Sequence, residues 1–183
     1  SRSAALTSKA NEILRHPTVV NQSKINLGII LNESWGHNYS IINTRELLYF
    51  VETLLRLKAR YGFDFSLREK PGHYVPSFLD RQTNIPKPLI SKEPSLARYL
   101  LSVNLVIGWG IPSSALLEAK ALNVPVVLGG YLRNHYNIHD YNVSLLNTLS
   151  EDYFSPKELV ILLEQILSSH LGKHLYGCLP EIK

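Results

Sequence analysis

Two short clusters hold the side chains best suited to chemistry. Ser113-Ser114 follows an apolar run, Val103 to Ile107, bounded by Gly108 and Gly110, and precedes a segment rich in helix formers. Such a run suits a strand buried on both faces of a parallel sheet. Small residues between a buried strand and a helix start make a natural anion site, because free backbone N–H groups and the helix dipole point at its occupant. Gly110, Ser113 and Ser114 would then hold a phosphate. The simpler alternative is that a serine hydroxyl caps the helix by accepting from an unpaired N–H. Glu118, one turn beyond Ser114, either accepts from ribose hydroxyls in the same cleft or lies on a solvated helix face.

The second cluster is Arg68-Glu69-Lys70-Pro71-Gly72-His73, directly after what reads as a strand. Arg68, Lys70 and His73 are potentially cationic, and Pro71-Gly72 demands a turn. Facing Ser113-Ser114, the basic groups would pair with a phosphate through charge-assisted hydrogen bonds. An exposed basic loop is the more common meaning of such a cluster. His135 and His139 have the four-residue spacing of metal ligands on a helix. Their segment has little helical pattern and no zincin glutamate, so no metal site is expected. The polar loop 32–44, with Trp35, Gly36 and His37, is either a ligand-facing segment or a solvated connection.

The elements that must position these groups alternate between strand and helix. Ala5 to Arg15 reads as a helix capped by Thr7 or Ser8 and stopped by Pro17. Ile25 to Leu31 reads as a strand. Thr44 is the expected cap of a long helix to Tyr61, with Leu47, Leu48, Val51, Leu54 and Leu55 as its buried stripe and Gly62 as its left-handed stop. Phe63 to Leu67 is the second strand. A Pro-rich connection, 74–94, leads to a short helix from Ser95 to Leu101. Val103 to Ile107 and Val126 to Leu128 are strands flanking a helix from Ala115 to Leu122 that stops at Asn123. A last short strand is expected within Val143 to Leu149. Ser155-Pro156-Lys157-Glu158 is a capping box opening a helix to about Ser169. The class is α/β, a Rossmann-like, mostly parallel sheet with helices on both faces. The organisation is an N-terminal helix and linker (1–24), a nucleotide-binding domain (25–170), and a tail or short helix (171–183).

Composition narrows the function classes. A length of 183 residues with 45% apolar residues supports one domain with a substantial core. A net charge of +4 suits an anionic ligand or an anionic membrane surface and falls short of a nucleic-acid signature. The lone Cys178 excludes an internal disulfide framework and a cysteine zinc site. No apolar run approaches the roughly 20 residues of a membrane span, and there is no signal-peptide pattern. Sequons at Asn21, Asn32, Asn38 and Asn142 weigh little in an asparagine-rich chain. Cytoplasmic location is expected, with peripheral association at the inner membrane compatible with the charge. The chain starts with serine and contains no methionine, which reads as a processed, truncated or excised piece.

The order of motifs resembles the C-terminal, nucleotide-sugar-binding half of GT-B-fold bacterial glycosyltransferases. It is closest to surface-polysaccharide CMP-sugar transferases with paired HP and Ser-Ser motifs, and is similar also to glycerophosphotransferases of teichoic acid synthesis. In these, a strand ends in Arg-x-His-Pro-Gly, and a later strand leads to Ser-Ser, Leu-Leu-Glu-Ala and a Pro-Val-Val strand. The matching residues are Arg68, Lys70, Pro71 and Gly72, then Ser113, Ser114, Leu116 to Ala119, and Pro125 to Val127. Lys70 stands where the family has histidine; it can pair with phosphate but is not assigned an acid's role. The resemblance covers Ile25 to Ser169. It implies a glycosyltransferase donor domain that takes a CMP-, CDP- or UDP-linked sugar as substrate. No further cofactor and no metal are implied. The acceptor would be a surface polysaccharide or glycolipid, and a second Rossmann-like domain or the rest of a parent chain would complete the active site. The catalytic base normally comes from that other half, so no catalytic residue is named.

Two other functions compete. A sugar-nucleotide epimerase half shares the fold, but the Ser-Gly-Gly turn expected there is missing. A non-catalytic α/β module for protein association is open too, since fold alone does not imply function.

Overall fold

A computed structural model of the chain describes residues 1–31, 41–69, 78–110, 112–130 and 140–176. Among these residues five strands form one sheet: β1 (Asn26–Leu31), β2 (Asp64–Glu69), β3 (Leu105–Trp109), β4 (Val126–Gly129) and β5 (Tyr153–Phe154). Their order is β2-β1-β3-β4-β5, and every pairing is parallel. The helices are α1 (Arg2–Arg15), α2 (Pro17–Val20), α3 (Ile41–Tyr61), α4 (Leu96–Leu101), α5 (Ser114–Ala121), α6 (Asp140–Leu149) and α7 (Pro156–Tyr176). This is the expected Rossmann-like architecture.

Strand alternation assigns each face its helices. Leu27, Ile29 and Leu31 of β1, with Leu105, Ile107 and Trp109 of β3, pack into one core with α1, α3 and α7. Ile30, Val106, Val126 and Leu128 point the other way, into a second core with α4, α5 and α6. Because both faces are covered, the strands read as nearly continuous apolar runs rather than alternating ones. The N-terminal helix, with Leu6, Ala10, Ile13 and Leu14, is part of the first core.

Several boundaries differ from expectation. Helix α1 begins at Arg2, with Ser1 accepting from the Ala4 N–H, so neither Thr7 nor Ser8 is its cap. Helix α3 begins at Ile41, which puts Thr44 inside it. The segment Val143 to Leu149 is helical, within α6, and the fifth strand follows it at Tyr153–Phe154. Leu145, Leu146 and Leu149 sit at helical spacing, with Leu145 and Leu149 buried, and tertiary packing decides an apolar run that local pattern leaves ambiguous. Helix α7 continues past Ser169 to Tyr176. The local stop signals hold: Gly62 has φ 70 and Asn123 φ 58. The Ser155 capping box is made in full, with the Glu158 carboxylate accepting from the Ser155 N–H at 3.0 Å and Ser155 Oγ from the Glu158 N–H at 3.2 Å.

No helix among the described residues is long and apolar enough to cross a membrane.

Candidate functional site

The chain passes from β1 through α3 to β2, then crosses to the other side of β1 to form β3. The strand order therefore reverses between β1 and β3. In open parallel sheets the ligand crevice opens at such a reversal, outside the carboxyl ends of the strands. One row of registered residues marks that edge: Glu69, Leu31, Trp109, Gly129 and Phe154. The described chain leaves the sheet at this edge after Glu69 and after Trp109. Glu69 and Trp109 both register with Leu31, and residue 70 follows the one as Gly110 follows the other.

Gly110 follows β3 with φ 84, a conformation that favours glycine, and its N–H donates to the Gly129 carbonyl at 2.9 Å. Beside it, Trp109 stacks on Phe50 with ring centroids 4.8 Å apart. A Cβ on Gly130 would lie 2.6 Å from the Trp109 ring. The end of β3 is thereby packed tightly on its α3 side, and the chain turns toward the other face to start α5.

Ser113 is the N-cap of α5 by backbone geometry, but its hydroxyl makes no capping hydrogen bond. The expected side-chain cap is therefore not formed at Ser113, and Ser114 lies within the first turn. Ser114 is exposed and Ser113 half-buried. Glu118, four residues after Ser114, is exposed on the same helix face. Among the described residues, the α5 N-terminus thus presents two hydroxyls and N–H groups without a side-chain cap at the carboxyl edge, the arrangement that suits an anion.

Arg68 differs most from its sequence reading. It belongs to β2, not to the turn after it, and is 6% exposed. Its guanidinium lies over the Tyr99 ring, Cζ 5.6 Å from the centroid. Nη2 donates to the carbonyls of Glu93 and Pro94, both at 3.4 Å. These are long contacts, and Nε is buried with no hydrogen-bond partner. Among the described residues no carboxylate pairs with Arg68. The neighbouring Glu69 points to the opposite face, where its Oε2 accepts from the Leu79 N–H at 3.1 Å. A buried cation of this kind is costly unless a counter-charge or strong acceptors compensate it.

Lys70, Gly72 and His73 lie outside the described residues, as do Trp35, Gly36, His37, His135 and His139. Among the described residues no group of three or more His, Cys, Asp or Glu could hold a metal ion.

Sequence reasoning missed Tyr99 and Gly28. In sequence Tyr99 is one residue of the short helix from Ser95 to Leu101, yet its hydroxyl lies 3.0 Å from Ser66 Oγ in the middle of β2. Burial pushes its phenol up to about 12, so it stays protonated near neutral pH. Gly28 makes room for it: a Cβ there would fall 2.8 Å from the hydroxyl. A cavity of about 240 Å³ lies elsewhere, at the amino ends of β1 and β2, lined by Lys24, Ile25, Gly62, Phe63 and His170 among others. It is on the edge opposite the strand reversal, away from Arg68 and the start of α5.

The class that the fold defines is a Rossmann-like α/β domain with an all-parallel sheet. No protein-family model matches the chain, and neither a curated protein nor a solved structure matches it.

Proposed function

We propose that the chain is the donor-nucleotide-binding domain of a GT-B-type glycosyltransferase. It would hold the phosphate of a CMP-, CDP- or UDP-linked sugar during transfer to a glycan or glycolipid acceptor. The observation that carries this reading is the pairing of two anion-seeking features at one edge of one sheet face. They are the under-compensated guanidinium of Arg68 and the uncapped start of α5 at Ser113-Ser114. Arg68 registers with Ile30, and Ile30 with Gly108, so two strand spacings, about 10 Å, separate Arg68 from the strand that feeds α5. A nucleotide phosphate would supply the counter-charge that no described carboxylate gives Arg68 and accept from the α5 N–H groups.

In catalysis these groups would stabilise negative charge on the departing nucleotide. Lys70 and His73, which follow β2 in sequence, would add positive charge, and Glu118 would accept from ribose hydroxyls. A second Rossmann-like domain would complete the cleft and bring the catalytic base.

Titration calorimetry with CMP, CDP and UDP tests the reading. Binding of at least one of them is expected, even if only in the millimolar range for a half-site, and should weaken on Arg68→Ala. No heat with any of the three, at protein concentrations that would register millimolar binding, overturns it.

A further inference from the structure

We propose that Tyr99 is a positioning residue for Arg68, holding its guanidinium at the strand reversal, and that Gly28 is the opening in β1 that admits the Tyr99 hydroxyl. The proposal rests on the reading that Arg68 meets a nucleotide phosphate.

Three contacts form the cradle, and two come from one short segment. The Glu93 and Pro94 carbonyls accept from Nη2, and the Tyr99 ring lies beneath the guanidinium five residues later. That segment is itself braced. The Glu93 N–H donates to Ser91 Oγ at 3.3 Å, the Ser95 N–H to Glu93 Oε1 at 3.1 Å, and the Arg98 N–H to Ser95 Oγ at 3.3 Å. Tyr99 is 2% exposed and pinned at its far end, where its hydroxyl meets Ser66 Oγ at 3.0 Å.

Any buried tyrosine needs a partner for its hydroxyl, and here that partner lies on the same strand and the same face as Arg68. Ser66 and Arg68 are alternate residues of β2, so both point to the same face, and Tyr99 touches both, Ser66 with its hydroxyl and Arg68 with its ring. Gly28 of β1 lies beside Ser66 in register, and any larger residue there would push the hydroxyl away. The ring attracts the cation through its quadrupole without neutralising it. A carboxylate in the same place would cancel the charge, whereas an aromatic platform keeps it for an incoming oxyanion.

The test uses the intact chain with Tyr99→Phe, Tyr99→Leu and, as a control, Leu100→Ala. Leu100 is fully buried in the same helix, and no hydrogen bond or ring contact links it to Arg68. The first readout, without ligand, is the Arg68 Nε–H resonance in nitrogen-proton spectra, assigned by its loss in Arg68→Lys. It should be shielded by the ring and slow to exchange in the wild type and in Tyr99→Phe. In Tyr99→Leu it should lose that shielding and exchange fast. The second readout is CMP affinity. Tyr99→Leu should weaken it by about 3- to 30-fold, the range of a partly to fully desolvated cation–π contact, with Tyr99→Phe and Leu100→Ala within about twofold of wild type.

An unchanged Arg68 signal and CMP affinity in Tyr99→Leu would overturn the proposal, as would equal weakening by Leu100→Ala. Absence of nucleotide binding by the wild type would instead remove the proposed function. The ligand-free Arg68 signal would then still decide whether Tyr99 holds the guanidinium.

Discussion

Arg68 and Gly108 flank the same residue of β1, Ile30, one on each side. All three point to the sheet face that carries α4 and α5. At the Gly108 end of this row the helix approaches the sheet closely, and a Cβ there would meet Leu116 Cδ1 at 2.5 Å and Leu128 Cδ2 at 3.3 Å. Leu116 is 1% exposed and cannot swing into solvent. Gly108→Ala should therefore displace α5 and destabilise the protein by about 1–3 kcal/mol, the usual cost of overpacking a core. Urea unfolding measures the loss. Nucleotide affinity should fall too, because the α5 N-terminus moves.

A pH effect follows from the ion pair that joins α1 to α7. Arg2 Nε and Nη2 donate to the two carboxylate oxygens of Glu158 at 2.8 and 3.0 Å. With the Ser155 N–H as a further donor, these hydrogen bonds hold the Glu158 carboxyl down at about 2, well below its ordinary value of 4.5. The folded state thus favours the ionised form. The associated stability is fully present above the ordinary glutamate value and is lost as pH falls from there through about 2. Melting temperatures of wild type and Arg2→Ala should differ at neutral pH and converge as pH falls through that window. A constant difference across the window would show that the pair is not the cause.

Lys9 and Glu151 form a more buried pair, Nζ to Oε2 2.7 Å, which ties α1 to the turn before β5. Glu151 also pairs with Lys120 of α5 at 2.8 Å, so one carboxylate links helices from both faces around the edge of the sheet. Glu151→Gln leaves the Lys9 ammonium, 8% exposed, with only the solvated Glu12. A loss of about 3 kcal/mol is expected in denaturant unfolding, since removing one partner strands a buried charge. Lys120→Ala should cost less, because that lysine is 36% exposed.

The sequence discloses much of this fold where the signal is local, although the caps read at Thr7 or Ser8 and at Thr44 lie inside their helices. The apolar runs of β1 and β3, the Ser155-Pro156-Glu158 box and the stops at Gly62 and Asn123 depend on neighbours a few residues away, and all are found, with β1 starting one residue later, at Asn26, and β3 shifted two residues on, to Leu105–Trp109. The other misreadings are of contacts distant in sequence. Arg68 reads as part of a basic turn because a charged residue rarely ends a buried strand. What buries it is Tyr99, 31 positions on, together with the Glu93 and Pro94 carbonyls. Val143 to Leu149 carries an apolar pattern that either element could use, and packing of Leu149 against the α4–α5 layer selects the helix. Gly28 looks like an interruption in a strand until the hydroxyl it accommodates is seen. Ser113 shows the limit from the other side: its position at the helix start is legible, while the idleness of its hydroxyl as a cap is not.

The central claim is that nucleotide phosphate binds at the carboxyl ends of β1 and β3, between Arg68 and the start of α5. Backbone amide shifts during titration of the labelled protein with CMP, CDP and UDP test it most directly. The expected result is a saturable set of shifts at Trp109, Gly110, Ser113 and Ser114 and at the Arg68 side-chain Nε–H, with Gly62, Phe63 and His170 at the opposite edge unmoved. Shifts confined to the cavity beside Gly62 and His170, or none with any of the three nucleotides, would contradict it.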